Sequence, residues 1–461
     1  MQLLAGLEAP LKVHPGLPVF RLRRGSTLVY YTPGTVIPVH SSCDAALLAA
    51  LSGATTEDGG FAARAARVLV GEASRGANRW NQFVSREFSP EVLTLHLSTD
   101  CNLDCAYCYA RANRGRGAAI PPVAVAGAAR LVMEECSRKG IDATAVLHGG
   151  GEPTIQWEPL VRVVEILNAE AQRACVSCHC QISTNACFET SRAAWLARNI
   201  RSISISCDGP PDLQNGQRPF RDGRPSSAIV ERSAKALADA GARIEVRCTI
   251  TPRSIDRQAD IVAYAHEHLH ARSIRLEPLF RTTEWADCRE EQALRFVRGF
   301  LEAEAEASKR ACHLTCGGVR LDELHGPFCD ILRDTLLIGS DGAAYTCAFR
   351  VGDRRAVIGR PGEDGQYVLD WARIAALRAA AVEVPNACQT CFNVHHCARM
   401  CPAFCYACDG YPGGSDGSFR CHVQRLLGAE WILNAAAGLG RNRYSVESEE
   451  ADCAIRGDDA L

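Results

Sequence analysis

Apolar and polar positions along this chain change period several times, and each change marks an element. Val19-Phe20-Arg21-Leu22 and Leu28-Val29-Tyr30-Tyr31 are short runs of β-formers, and Pro33-Gly34 turns the chain into Val36-Ile37-Pro38-Val39. Helical patterns follow around 44–51 and 61–72, so residues 1–88 read as a small α+β module of three strands and two helices. From 89 to 285 the two periods alternate. Strands are expected at 92–97, 143–147, 178–182, 202–206, 244–250 and 274–279, with helices at 122–139, 158–173, 189–197, 227–240 and 255–268 between them. Such alternation implies parallel strands with helices outside. Six units suit an α/β fold built as a partial (β/α)6 barrel, open on one side, whose site lies at the C-terminal strand ends. A charged helix at 288–310 lies in a connecting segment, 286–328, and could serve as the helix of the sixth unit. A cysteine-rich domain follows over 329–425, and 426–461 is a helix with an acidic tail.

Composition adds constraints. The 461 residues are long enough for two or three domains, and a net charge of −2 implies no general attraction to nucleic acid or membrane. No apolar run approaches the roughly 20 residues that span a bilayer. The start, Met1-Gln2-Leu3-Leu4-Ala5-Gly6, has neither a basic region nor a long apolar stretch, so a cytoplasmic location is expected. In that compartment the 24 cysteines point to metal rather than disulfides.

The chemistry concentrates just past residue 100. Cys101, Cys105 and Cys108 leave the first barrel strand with gaps of three and two residues. An iron–sulfur cube has four irons, normally held by four thiolates, so three local thiolates leave one iron open for a ligand. A zinc knuckle would want a fourth Cys or His at short range, and His96 is on the strand rather than the loop.

This C-x3-C-x2-C spacing, with Tyr107 before the last Cys, resembles the radical S-adenosylmethionine (SAM) superfamily. The resemblance implies a 4Fe–4S cluster on Cys101, Cys105 and Cys108 whose free iron chelates SAM, and cleavage of SAM to a 5′-deoxyadenosyl radical. Tyr107 stands where the family places an aromatic residue beside the adenine. His148-Gly149-Gly150-Gly151-Glu152 after the second strand resembles the family's GGE motif, which makes Gly150, Gly151 and Glu152 candidates to meet the methionine amino group. Ser183-Thr184-Asn185 ends the third strand and by resemblance contacts the ribose or methionine part, although Thr184 and Asn185 equally suit a turn. Ser206-Cys207-Asp208-Gly209 ends the fourth strand. Arg218, ten residues after Asp208, suits the methionine carboxylate or else the surface. Glu277 at the sixth strand end faces either cavity or solvent.

Downstream, Cys329, Gly342, Cys347, Cys388, Cys391, Cys397, Cys401 and Cys421 stand in the order and spacing of the SPASM domain of peptide- and protein-modifying radical enzymes. That resemblance implies two auxiliary 4Fe–4S clusters, three in all. Cys329, Cys347 and Cys401 hold the first with an upstream ligand, Cys316 preferred over Cys312. Cys388, Cys391, Cys397 and Cys421 hold the second. Cys405 and Cys408 are extra to the pattern. Residues 340–342 read as a turn between strands 336–338 and 344–346. Residues 1–88 resemble a winged-helix-like leader-recognition domain, or are a cap packing on the barrel.

Anaerobic sulfatase maturases carry an Asp directly after the second Cys of this domain; here it is Ala348. The function this leaves is an oxidoreductase acting on a ribosomally made precursor peptide with a leader, through hydrogen abstraction and a C–C or thioether crosslink. The alternatives are the same chemistry on a small molecule, or on a protein side chain in the manner of a sulfatase maturase. A one-electron donor such as flavodoxin or ferredoxin would be needed.

Overall fold

The computed structural model describes residues 8–53, 60–111, 115, 119–279, 289–319, 321, 330–384, 388–397 and 419–436. Two expected cluster ligands, Cys329 and Cys401, and the extra Cys405 and Cys408 lie outside the described residues.

The N-terminal module is a four-stranded antiparallel sheet, β1 (Leu11–Lys12), β2 (Phe20–Arg24), β3 (Thr27–Thr32) and β4 (Thr35–Pro38), followed by helices α1 (Asp44–Leu51) and α2 (Phe61–Ser85). The sequence pattern predicts three strands; β1 is too short to show a period. The pattern also ends the second helix at 72, whereas α2 runs on to Ser85 through Gly76, which lies against the Pro33 turn. The sheet buries both faces. Val19, Leu28 and Tyr30 pack with Leu47, Leu51 and Leu69, while Phe20, Leu22 and Tyr31 join the main core. That explains why β3 is an apolar run rather than an alternation.

The main body is one 11-stranded sheet in the order β11-β10-β9-β8-β7-β6-β5-β12-β13-β14-β15. Its expected members are β5 (Val92–His96), β6 (Ala143–His148), β7 (Cys178–Thr184), β8 (Ser202–Ser206), β9 (Ile244–Ile250) and β10 (Ser273–Pro278). All are parallel neighbours, joined by α3 (Pro122–Lys139), α4 (Trp157–Ala174), α5 (Ala193–Asn199), α6 (Pro211–Gln217), α7 (Ser227–Asp239) and α8 (Gln258–Leu269). The α/β partial barrel is therefore present, and it is wider than six strands. Helix α9 (Arg289–Lys309) leads into β11 (His313–Thr315), parallel to β10, which completes a further unit. Strand β12 (Thr335–Ile338) adds parallel to the other edge, beside β5.

From β12 the expected hairpin turns at Gly342 (φ +75°) into β13 (Ala344–Tyr345), with Leu337 opposite Tyr345. Strands β14 (Val357–Pro361) and β15 (Tyr367–Leu369) extend the sheet antiparallel, so residues 335–369 are continuous with the barrel. Helix α10 (Trp371–Val382) carries buried Arg378. Its guanidinium reaches Asp334 Oδ1 at 3.2 Å and the Arg86 carbonyl at 2.7 Å, clamping the entry to β5 and β12. Helix α11 (Phe419–Ala436) packs on α9 through Phe419 and Trp431, against Phe296 and Phe300. No helix among the described residues is long and apolar enough to cross a membrane.

Candidate active site at the C-terminal strand ends

Alternation along β5 and β6 sends Leu93, Leu95, Ala145 and Leu147 to the helix side and Thr94, His96, Val146 and His148 to the other. The strands end together, His96 beside His148, and the backbone then zips their loops. Leu97 N–H donates to the His148 carbonyl (3.2 Å), Gly151 N–H to Ser98 (3.1 Å) and Glu152 N–H to Asp100 (2.6 Å). Only glycine fits at 151, where a Cβ would stand 2.0 Å from the Asp100 carbonyl oxygen. The glycine loop thus forms the wall on which Ser98–Asp100 rests, immediately before Cys101.

The cysteine loop is tied on its other side as well. Asp104 N–H donates to Pro219 (2.8 Å), Ala106 N–H to Gln217 (2.9 Å), and Leu103, fully buried, pairs with Phe220. Burying that leucine contributes roughly 1.5–3 kcal/mol to holding the loop. Cys105 is buried, and Cys101 and Cys108 are half-buried. The Asn185 amide lies 3.9 Å from Cys101 Sγ and bonds Asn102 Oδ1 at 2.7 Å. Such an N–H···S contact is one of the levers on a cluster's potential.

Tyr107, Asp208 and Arg218 form a buried trio. The Tyr107 hydroxyl donates to Asp208 Oδ2 (2.6 Å) and accepts from Arg218 Nη1 (2.7 Å). Asp208, with no exposure, also accepts from the Thr249 amide (3.1 Å) and Gln217 Nε2 (3.3 Å). Burial pushes the Asp208 carboxyl up, opposed by Arg218 and by the Tyr107 hydrogen bond. Burial alone would lower Arg218, but the neighbouring Cys105, Tyr107 and Asp208 outweigh it and hold the guanidinium charged. Arg218 Nε is buried without an acceptor among the described residues. Tyr107 is therefore a link in a charge network, and Arg218 is not a surface residue.

Glu152, 2 % exposed, accepts from Thr154 N (3.0 Å) and Oγ1 (2.7 Å), Thr184 Oγ1 (2.7 Å) and Asn185 N (2.6 Å). Its carboxylate stitches the end of β6 to the end of β7, and so Thr184 and Asn185 are more than turn formers. Ser183 and Ser206 are half-buried at the ends of β7 and β8. Glu277 Oε1 accepts from the Gly317 amide (3.0 Å), beside Cys316, which answers whether it faces solvent.

Toward the second cysteine region, Tyr109 donates to the Gly149 carbonyl (3.2 Å) and meets Phe349 edge-on at 4.8 Å. Asp330 accepts from the Ala348 amide, and burial pushes its carboxyl up to about 7. Sequence reasoning missed Asp330 and the role of Asp208. The only signals were their places, one next to Cys329 and one inside the fourth-strand motif. Cys316 is buried, its thiol pushed up to about 12 by burial and then by Glu277. Val319 pairs across to Cys397, which brings the Cys316 segment to the second cysteine group. Cys388 is buried, and Cys347, Cys391, Cys397 and Cys421 are half-buried.

Among the described residues no three His, Cys, Asp or Glu side chains converge as a site for a single metal ion. Ligands of an iron–sulfur cube bind different irons and surround the cube rather than meet at a point, so a three-thiol loop fits a cluster. The unclaimed Arg218 Nε beside it fits a carboxylate-bearing ligand.

Comparison with known proteins agrees with this geometry. Residues 95–265 match the Radical SAM superfamily model. No curated protein matches the chain. Among solved structures, anSMEcpe with bound AdoMet aligns at 16 % identity and a TM-score of 0.59, covering 76 % of this chain and 97 % of that one. Its complex with the Cp18Cys peptide gives 17 % identity and 0.59, over 76 % of this chain and 100 % of that one. At these identities the likeness is one of fold. Streptococcus suis SuiB bound to its precursor peptide SuiA aligns at 14 % identity and a TM-score of 0.49, over 82 % and 93 % of the two chains. With its three-thiol loop clamped at the ends of a parallel sheet, this chain carries a Radical SAM domain over residues 95–265.

Proposed function

We propose that the chain is a peptide maturase, an oxidoreductase of the radical SAM/SPASM type acting on a ribosomally made precursor. The observation that carries this reading is the clamped Cys101–Cys105–Cys108 loop lying beside the unclaimed Nε of Arg218. In it, Cys101, Cys105 and Cys108 hold a 4Fe–4S cluster. The Gly150 and Gly151 backbone, Ser183, Ser206 and Arg218 receive SAM. With a cluster on those thiolates and SAM bound, the site would supply hydrogen-atom abstraction from the substrate, the electron coming from the external donor.

The protein's own contribution is placement. Glu152 and Asn185 fix the floor under Cys101. The Tyr107–Asp208–Arg218 trio keeps one largely buried guanidinium charged beside the cysteine loop. Residues 329–425, as a SPASM domain, would hold two auxiliary clusters on Cys329, Cys347, Cys401 and Cys316, and on Cys388, Cys391, Cys397 and Cys421. The pairing of Val319 with Cys397 supports Cys316 over Cys312 as the upstream ligand. Residues 1–88 would take the leader peptide, 286–328 the connection, and an electron donor such as flavodoxin or ferredoxin would dock outside. Ala348 argues against the sulfatase-maturase alternative, and the peptide complex of anSMEcpe supports a peptide over a small molecule.

The test is anaerobic reconstitution with iron and sulfide, reduction, and addition of SAM. The expected result is single-turnover release of 5′-deoxyadenosine, lost in C101A, C105A and C108A. Colourless protein holding zinc instead of iron would end the proposal. Pull-down of a short peptide by the full chain, abolished by changes in residues 1–88, separates a peptide substrate from a small molecule.

A further inference from the structure

The face of the sheet turned away from the helices is polar along its far half. On β9 the residues Ile244, Val246, Cys248 and Ile250 are buried on the helix side, which sends Glu245, Arg247 and Thr249 to the opposite face. On β10 the same alternation presents Ser273, Arg275 and Glu277 there. The register sets Arg247 directly beside Arg275. Neighbouring strands lie about 4.8 Å apart, so two guanidinium stems rise side by side from the wall of an open barrel.

Two carboxylates share this wall, and each is engaged. Glu245 Oε1 lies 3.5 Å from Arg275 Nε, too far for a hydrogen bond, with the two side chains 24 % and 30 % exposed. Glu277 is turned to the Gly317 amide at 3.0 Å. Arg247 makes no hydrogen bond or ion pair through its guanidinium among the described residues, and Arg275 Nε is buried without a hydrogen-bond acceptor. Arg247 lies near the candidate site, because its in-register neighbour on β8 is Ser206. His148 stacks on His96 at 5.4 Å, and neither His96 nitrogen has a partner. Burial holds both rings neutral, His148 down to about 4 with Arg247 adding to the effect. Positive charge at this spot therefore comes from arginine. Two adjacent guanidinium forks on this face, Arg247 without a hydrogen-bond or ion-pair partner among the described residues and Arg275 ion-paired only through Nε with Glu245, have the chemistry of a carboxylate receptor.

We propose that Arg247, braced by Arg275, receives a carboxylate of the substrate inside the barrel, so that the segment presented to the cysteine loop is acidic. The carboxylate is that of an Asp or Glu side chain or of a peptide C-terminus. The inference rests on the proposed radical chemistry only for the word substrate; the receptor itself stands on the geometry. It is distinct from Arg218, which sits against Cys105 and Asp208.

The test uses reconstituted full-length protein labelled with phenylglyoxal, with modification at Arg247 and Arg275 followed by peptide mass spectrometry. Glutarate is the acidic probe, and glutaramide its neutral match. The expected result is that glutarate slows labelling several-fold at both positions and glutaramide does not, while SAM alone leaves the rate as it was. Equal labelling with and without glutarate overturns the proposal, as does a guanidinium the reagent never reaches. Protection by SAM alone also overturns it, by assigning the pair to the methionine carboxylate. In R247Q/R275Q, glutarate binding should weaken about 10- to 100-fold, the loss expected for charge-assisted hydrogen bonds, with R247K restoring part of it. An unchanged affinity overturns the assignment. N-acetyl-glutamyl-glycinamide and glycyl-glutamine as further probes separate a side-chain carboxylate from a terminal one. Substrate-free release of 5′-deoxyadenosine by the wild type reports on the radical reading alone, so the two failures are distinguishable.

Discussion

Replacing Gly151 with alanine tests whether the glycine loop shapes the cysteine loop. The added Cβ would stand 2.0 Å from the Asp100 carbonyl oxygen and 2.6 Å from the carbonyl carbons of Asp100 and Thr99. These are backbone atoms, so no side chain can swing aside. Ordinary contact begins near 3.4 Å, so Thr99–Asp100 must retreat by about 1.4 Å, and Cys101 is the next residue. The shift also breaks the Gly151–Ser98 and Glu152–Asp100 hydrogen bonds. Over-packing of this kind costs roughly 1–3 kcal/mol of stability, which leaves a folded protein. A misplacement of about 1 Å at a reacting centre costs on the order of 10²-fold in rate. The expectation is therefore a G151A protein with a near-normal melting curve and single-turnover 5′-deoxyadenosine release slowed about 100-fold. Iron content by colorimetry and product by mass spectrometry make the assay. G71A is the control, since its Cβ meets only Arg75 Nη1 at 3.9 Å in α2; it should gain about 0.5–1 kcal/mol of stability. A G151A protein that loads iron and cleaves SAM at the wild-type rate would refute the idea that this loop positions Cys101.

Three further outcomes follow from buried pairs. D208N leaves Arg218 charged and buried, so urea unfolding should show a loss of about 3–5 kcal/mol, while Y107F should lose about 1.5–3; a change below 0.5 in either, on the order of a surface mutation, would mean the trio is not coupled. Glu135, hydrogen-bonded first of all by Arg138 and also by Ser89, is held down to about 2 from 4.5, so its stabilisation is complete above pH 4.5 and lost as pH falls through about 2. The solvent-screened size is about 1 kcal/mol, and E135Q should flatten the wild-type slope across that window; parallel curves would count against it. R24M removes the partner of buried Glu430, 2.5 Å away, and should loosen the N-terminal module from α11 by about 3 kcal/mol, seen as faster amide exchange in both, with unchanged protection contradicting it.

Local pattern was enough to read the barrel strands β5 to β10, because each is a short apolar alternation bounded by turn residues, and helix caps such as Gly140 and Gly241 adopt the positive φ their positions require. The thiol spacing and the glycine run are equally local, which is why the candidate cluster loop was legible. Strand β11 was not, since a three-residue segment carries no period and only its pairing with β10 makes it a strand; β12 was legible as one arm of the hairpin at Gly342, but its parallel pairing with β5 was not. The same holds for partners. Nothing in the chain order says that Tyr107 meets Arg218, that Glu152 is saturated by four donors from two loops, or that Arg247 lies beside Arg275. Sequence determines which side chains a strand sends to each face. Which of them meet is decided only when the strands are set in register, because hydrogen bonds and charge pairs act over a few ångströms between residues as many as 406 positions apart.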